Sequence, residues 1–189
     1  MKTFLLIISI FCFSEAILAQ DAMVFEKIET YKISGINENS IRKSLDKNSP
    51  CKQKGKTFDA FTTWYVNWYF NWKLLDGKYS ITDVNAQVEI KFVLPEWVES
   101  SKSPAGLVQK WNSYFRALKD HEDGHKKISI EAANAVIVAI KNVKPQSSSQ
   151  NLENLANQSA NRVLERYRMQ EIEYDRTTQH GLKTGARFP

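Results

Sequence analysis

Two runs of alternating residues, joined by a two-residue turn signal, constrain this chain more than any other feature. In "TTWYVNWYFNW", Trp64, Val66, Trp68, Phe70 and Trp72 alternate with Tyr65, Asn67, Tyr69 and Asn71. In "VNAQVEIKFVL", Val84, Ala86, Val88, Ile90, Phe92 and Leu94 alternate with Asn85, Gln87, Glu89 and Lys91. A period of two sends successive side chains to opposite faces of a strand. Asp76-Gly77 between the runs is hairpin-turn chemistry. The pattern predicts a long antiparallel hairpin with one apolar and one wet face, ended by Pro95. The simplest use of the aromatic side is as a wall for a helix to lie on, rather than as a ligand platform.

Helical periodicity follows. From Leu107 through Trp111, Tyr114, Leu118, His121, His125, Ile128, Ala132, Ala135 and Ala139, the steps are four and three without a break. This predicts one long helix, or two nearly collinear ones, over 104–142. Ser103 is the expected cap and Pro104 suits the first turn. A polar link (144–150) leads to a last helix of about 25 residues and a Gly-punctuated tail, "TTQHGLKTGARFP". Upstream, 25–34 reads as a strand, 39–47 as a short helix capped by Asn39, and 48–56 as a polar loop. Strands first and helices second describe an α+β fold, a small antiparallel sheet packed on a long helix plus a C-terminal helix. We expect one domain over 20–189.

The first 19 residues read as a secretory signal peptide: Lys2, the apolar run Phe4 to Phe13, then small residues Ala16 and Ala19. That run is too short for a membrane span of roughly 20 residues. The expected product is periplasmic or secreted, with no transmembrane segment in the mature chain. It would retain one cysteine, Cys51, so it must be held by packing, helped or not by a metal, rather than by an internal disulfide. The net charge of +5 is modest and scattered. Arg162, Arg166 and Arg168 fit a solvated helix face, and nucleic-acid binding is not expected.

Residues 121–127 read "HEDGHKK", and two of the chain's three histidines lie here. Core histidines satisfied by neighbours are the plain alternative, since both fall on the buried stripe. Residues four apart stack on one helix face, so both rings can reach one ion. HExxH on a helix supplies two zinc ligands and a carboxylate beside the open coordination position. The remaining candidates for a third ligand are His180, Cys51 and Asp175. Asp175 either ligates or orients a ligand's second nitrogen. Gly124 costs about 1 kcal/mol relative to Ala within a helix, which suggests a close approach there, with the loop bearing His180 as one candidate.

The segments "YKISG", "TTWYVNWYF", "LPEW", "HEDGHKK" and "YDRTTQHG…GARFP" resemble the bacterial predicted secreted zinc-dependent proteases of the domain-of-unknown-function class 922, over about Tyr31 to Pro189. The resemblance implies a zincin-like architecture, His121 and His125 as ligands, Glu122 as the catalytic acid, and His180 as third ligand. The implied activity is zinc-dependent hydrolysis of a peptide or protein substrate, with Tyr174 as a candidate oxyanion donor. A non-catalytic exported binding module with a structural metal site is the second expectation.

Overall fold

A computed structural model describes residues 21–189 apart from Lys54, so the signal peptide expected over 1–19 lies outside the described residues. The alternating runs form the predicted hairpin, longer at both ends. Strand β4 covers Phe61–Leu75 and β5 covers Lys78–Trp97. Asp76 and Gly77 take φ of 49° and 74°, the doubly left-handed turn that matches strand twist. Val84, Ala86, Val88, Ile90, Phe92 and Leu94 are all buried. Tyr65 and Tyr69 on the opposite face stay exposed.

Pro95 does not end β5. The pairing of β4 stops at Phe61 opposite Val93, so β5 is an edge beyond that point. A residue without an N–H is tolerated where no partner awaits it. On its other side β5 pairs in parallel with β1 (Met23–Ile33), in register from Met23 opposite Gln87 to Ile33 opposite Trp97. The sheet order is therefore β1-β5-β4, and the antiparallel hairpin carries a parallel third strand. The remaining strands, β2 (Lys52–Gln53) and β3 (Lys56–Thr57), form a two-stranded ribbon inside the segment expected to be a plain loop.

Helix α1 (Glu38–Asn48) is capped by Asn37, not Asn39. The Asn37 side chain accepts from Ser40 N, and Ser40 Oγ returns to the cap backbone. This reciprocal pairing satisfies two otherwise orphaned donors. Arg42 on α1 grips Asp59 with two hydrogen bonds of 2.8 and 2.5 Å, and Tyr114 donates to the same carboxylate at 2.8 Å. This network ties α1, the segment before β4, and the long helix together.

Helix α2 (Ala105–Lys141) is single and continuous. Pro104 occupies the cap position, while Ser103 donates its hydroxyl to Glu99 O. The buried stripe follows the predicted residues from Trp111 as far as Ala132, with Leu107 half-buried. It then runs through Ala133, Val136, Ile137 and Ile140 instead of Ala135 and Ala139. A strict four-three step repeats every 3.5 residues, whereas an α-helix turns every 3.6, so the face drifts by roughly 20° per heptad. Helix α3 (Ser149–Thr178) starts at a Ser148 cap and packs on α2 through Leu152, Ala156, Ala160 and Leu164, all buried. Indole N–H groups of Trp68 and Trp72 donate to Asn157 and Glu153 of α3, at 2.9 and 3.1 Å. The hairpin's aromatic wall therefore supports both helices.

The tail returns to the core. Phe188 is fully buried against Trp111 and Tyr114, with ring centroids 5.7 and 5.4 Å away. Left-handed Gly181 and Gly185 (φ 77° and 91°) make the turns that bring it there. Among the described residues, no helix is long and apolar enough to cross a membrane. Phe188→Ala should lower unfolding stability by about 3–5 kcal/mol, the usual cost of deleting a core aromatic, as measured by urea denaturation.

Candidate metal centre

His121 and His125 lie one turn apart on the face of α2 that meets α3. Their rings meet edge to face, with centroids 5.0 Å apart. From α3, Asp175 reaches between them. Its Oδ1 is 3.2 Å from His121 Nε2 and 3.1 Å from His125 Nε2. One ligand atom from each of the three residues lies within 4.8 Å of the others. Zinc-ligand bonds of about 2.0–2.2 Å place tetrahedral ligands about 3.4 Å apart. The two nitrogen-oxygen separations are slightly shorter than that edge, and all three ligand atoms lie within 4.8 Å of one another, close enough to face one cation. The donor set, two imidazoles and a carboxylate, fits a divalent transition metal.

The α2 side of the centre is buried, while Asp175 on α3 is half-buried. His121, Glu122 and His125 are 5%, 4% and 8% exposed. Burial alone raises Asp175, but hydrogen bonds from both imidazoles hold it below the usual carboxylate range. Burial disfavours the charged ring of His125, yet Asp175 and Glu171 outweigh it and push the ring up to about 10. A cation at this point replaces those protons, because imidazole ligates in its neutral form.

Glu122 follows His121 and so points about 100° further round the helix, toward the sheet. Its Oε2 accepts from Thr62 Oγ1 at 2.5 Å. Burial raises its carboxyl above the ordinary value, and the Thr62 bond offsets part of that rise. Thr62 stands near the start of β4, so the carboxylate is tethered to an outer strand of the sheet.

The C-terminal residues singled out in the sequence converge here in distinct ways. His180, at φ 51°, lies outside the group of three. Its Nδ1 is 3.4 Å from the other oxygen of Asp175, and its ring packs on Phe58 at 4.7 Å. Tyr174 stacks on His121, with an interplanar angle of 11°, and its hydroxyl donates to His121 O at 3.1 Å. Tyr174 also explains Gly124. A Cβ at 124 would overlap the Tyr174 ring and hydroxyl, so the close approach comes from α3 and not from the His180 loop. That loop has its own contact one turn away, where a Cβ on Gly181 would lie 3.0 Å from His121 Cγ.

Two residues in this centre were not singled out for the site by the sequence, Thr62, which opens the aromatic segment of β4, and Glu171. Glu171 Oε1 is 3.1 Å from His125 Nδ1. The only sequence signal for it is its position four residues before Asp175, on the same face of α3. Cys51 is buried in the segment before β4, where burial pushes its thiol up.

A family model described as "Bacterial protein of unknown function (DUF922)" matches residues 28–181, and the chain belongs to that family. The matched span includes His121, Glu122, His125 and Asp175. No curated protein and no solved structure matches the chain.

Gly124→Ala should destabilise the protein by about 1–3 kcal/mol, the typical cost of overpacking. In a double-mutant cycle with Tyr174→Ala, the two losses should be clearly less than additive, as contacting residues are. Thermal or urea unfolding of the four proteins measures both.

Proposed function

We propose that this protein is an exported zinc-dependent hydrolase of peptide bonds, with the ion held by His121, His125 and Asp175. The observation that carries the reading is the meeting of two buried histidines and one half-buried carboxylate at the seam of α2 and α3, with Glu122 next to the first ligand. Structural zinc sites close with four protein ligands, whereas catalytic ones keep one position open. The group found among the described residues supplies three.

Bound zinc would supply a Lewis acid that polarises a carbonyl and makes water nucleophilic near neutral pH. The chain's own residues supply the rest. Glu122 takes the proton from the attacking water and returns it to the leaving amine, the role of a general base and then acid. Its low exposure favours that task, since a carboxyl raised by burial exchanges a proton more readily near neutral pH. Asp175 balances the charge of the ion while Tyr174 braces the His121 ring from behind. Strand β4 is the outer strand of the sheet beyond β5. Its far edge, unpaired among the described residues, passes Thr62 and is suited to align an extended peptide through main-chain hydrogen bonds. Export rests on the signal-like residues 1–19.

The second reading is a structural metal site in a non-catalytic exported module. The observation that favours it is His180, whose ring lies beside Asp175 and could close the coordination sphere. The two readings separate on the mature protein loaded with zinc. Glu122→Gln should retain one ion per chain and lose hydrolysis of an unfolded protein substrate by about 10²–10⁴-fold. His180→Ala should retain the ion if the position beside the group of three is open. An inactive wild type that releases its zinc in His180→Ala would establish the structural reading instead.

A further inference from the structure

Glu171 touches neither the space between the Nε2 atoms nor Glu122, yet among the described residues it is the one carboxylate that contacts the far side of a candidate ligand ring. The two nitrogens of an imidazole point to opposite sides of the ring. Asp175 occupies the Nε2 side of His125 at 3.1 Å, and Glu171 occupies the Nδ1 side, also at 3.1 Å. A carboxylate at Nδ1 is directed away from any ion held at Nε2. Glu171 is thus placed to act through His125, not beside it.

The two ligand rings differ in this respect. His121 Nδ1 is buried and has no hydrogen-bond partner among the described residues. That ring is held by shape, with Tyr174 stacked on one face and Gly181 against its Cγ. His125 makes only an edge-on contact with Tyr174, at an interplanar angle of 89°. Packing therefore fixes His121, whereas His125 relies on its hydrogen bonds. Asp175 cannot serve as the fixing partner once it is itself a ligand, which leaves Glu171.

We propose that Glu171 is the positioning residue of the metal centre: it accepts the Nδ1 proton of His125, fixing the tautomer and ring orientation that present Nε2 to the ion. The proposal rests on the reading that the site holds a cation. It assigns α3 two jobs one turn apart, a ligand at 175 and an orienting group at 171, both on the face that meets α2. Ring orientation by such a partner typically changes metal affinity by about 10–100-fold.

The test measures Zn²⁺ and Co²⁺ dissociation constants of the mature chain by competition with a chromophoric chelator, with circular dichroism of each chelator-treated variant as the folding control. Glu171→Ala should bind both ions about 10–100-fold more weakly. Glu171→Gln keeps an acceptor oxygen at the same reach and should stay within about threefold of wild type, against the 10–100-fold span above. Glu171→Asp, one methylene short, should resemble the alanine variant and serves in its place if alanine does not fold. Wild-type affinity in the folded Ala and Asp variants overturns the proposal. A Gln variant as weak as Ala also overturns it, because the contribution is then charge and not orientation. A wild-type chain that binds neither ion overturns the metal reading itself, which is a different result from a metal-binding chain indifferent to residue 171.

Discussion

A single carboxylate oxygen, Asp175 Oδ1, stands between two imidazoles in the seam of the helix pair, and the organisation of the helical half follows from accommodating it. Isolated buried polar groups cost several kcal/mol if left unpaired. The seam resolves this by segregation. Toward the link between the helices, the buried residues of α2 and α3 include Ala132, Ala133, Ala156 and Ala160, small residues that allow close approach of packed helices. Toward the open end, the same two helix faces change to His121, His125, Glu171, Tyr174 and Asp175, each in contact with at least one of the others. Ion pairs between buried rings and half-buried carboxylates are weak contributors to stability, and apolar replacements of the same volume often do better. A helix pair that needed only to fold would continue its small apolar seam to the end. The polar half is explained by what it can hold.

The sheet enters the same arrangement from the other side. Consecutive residues on α2 diverge by about 100°, so His121 faces α3 while Glu122 faces β4 and Thr62. A carboxylate and an imidazole adjacent in sequence are thus supported by different layers of the fold. The tail supplies a third support, because burial of Phe188 against Trp111 and Tyr114 fixes the loop that lays Gly181 on the His121 ring. Three separate elements converge on one turn of α2.

Much of this was legible from residue order because it depends on local periodicity. The alternation of Trp64–Trp72 and Val84–Leu94, the Asp76-Gly77 turn and the stripe from Leu107 to Ala132 each repeat with the period of the element they form. The histidine pair was legible for the same reason, as two residues at helical spacing. What was not legible is non-local. Nothing in residues 23–33 announces a parallel partner at 87–97, because pairing of that kind is set by sheet assembly and not by a turn. Pro95 looked like a strand end only because the strand lost on one side there could not be seen from its own sequence. Asn37 and Asn39 are equivalent as caps until Ser40 is seen to complete the reciprocal bonds. Gly124 signalled a close approach correctly, but its partner came from another helix. Asp175 and His180 were both in view as third-ligand candidates. Only the packing of α3 on α2 shows which of them reaches both Nε2 atoms. Glu171 had no motif to stand in, since an orienting carboxylate is defined by the ring it touches.

Glu122 and Asp175 show how one buried cluster gives two carboxylates opposite tendencies. Asp175 accepts from two imidazoles and is held ionised despite its burial. Glu122 has one neutral hydroxyl donor, and burial drives it toward its protonated form. Separation of this kind is what acid-base chemistry at a metal requires, with one carboxylate that stays charged and binds while another remains able to take and return a proton. A site selected only to staple two helices has no use for the second. The buried acid next to His121, held by Thr62 on an outer strand and outside the group of three, is therefore the feature on which the proposed catalytic reading rests.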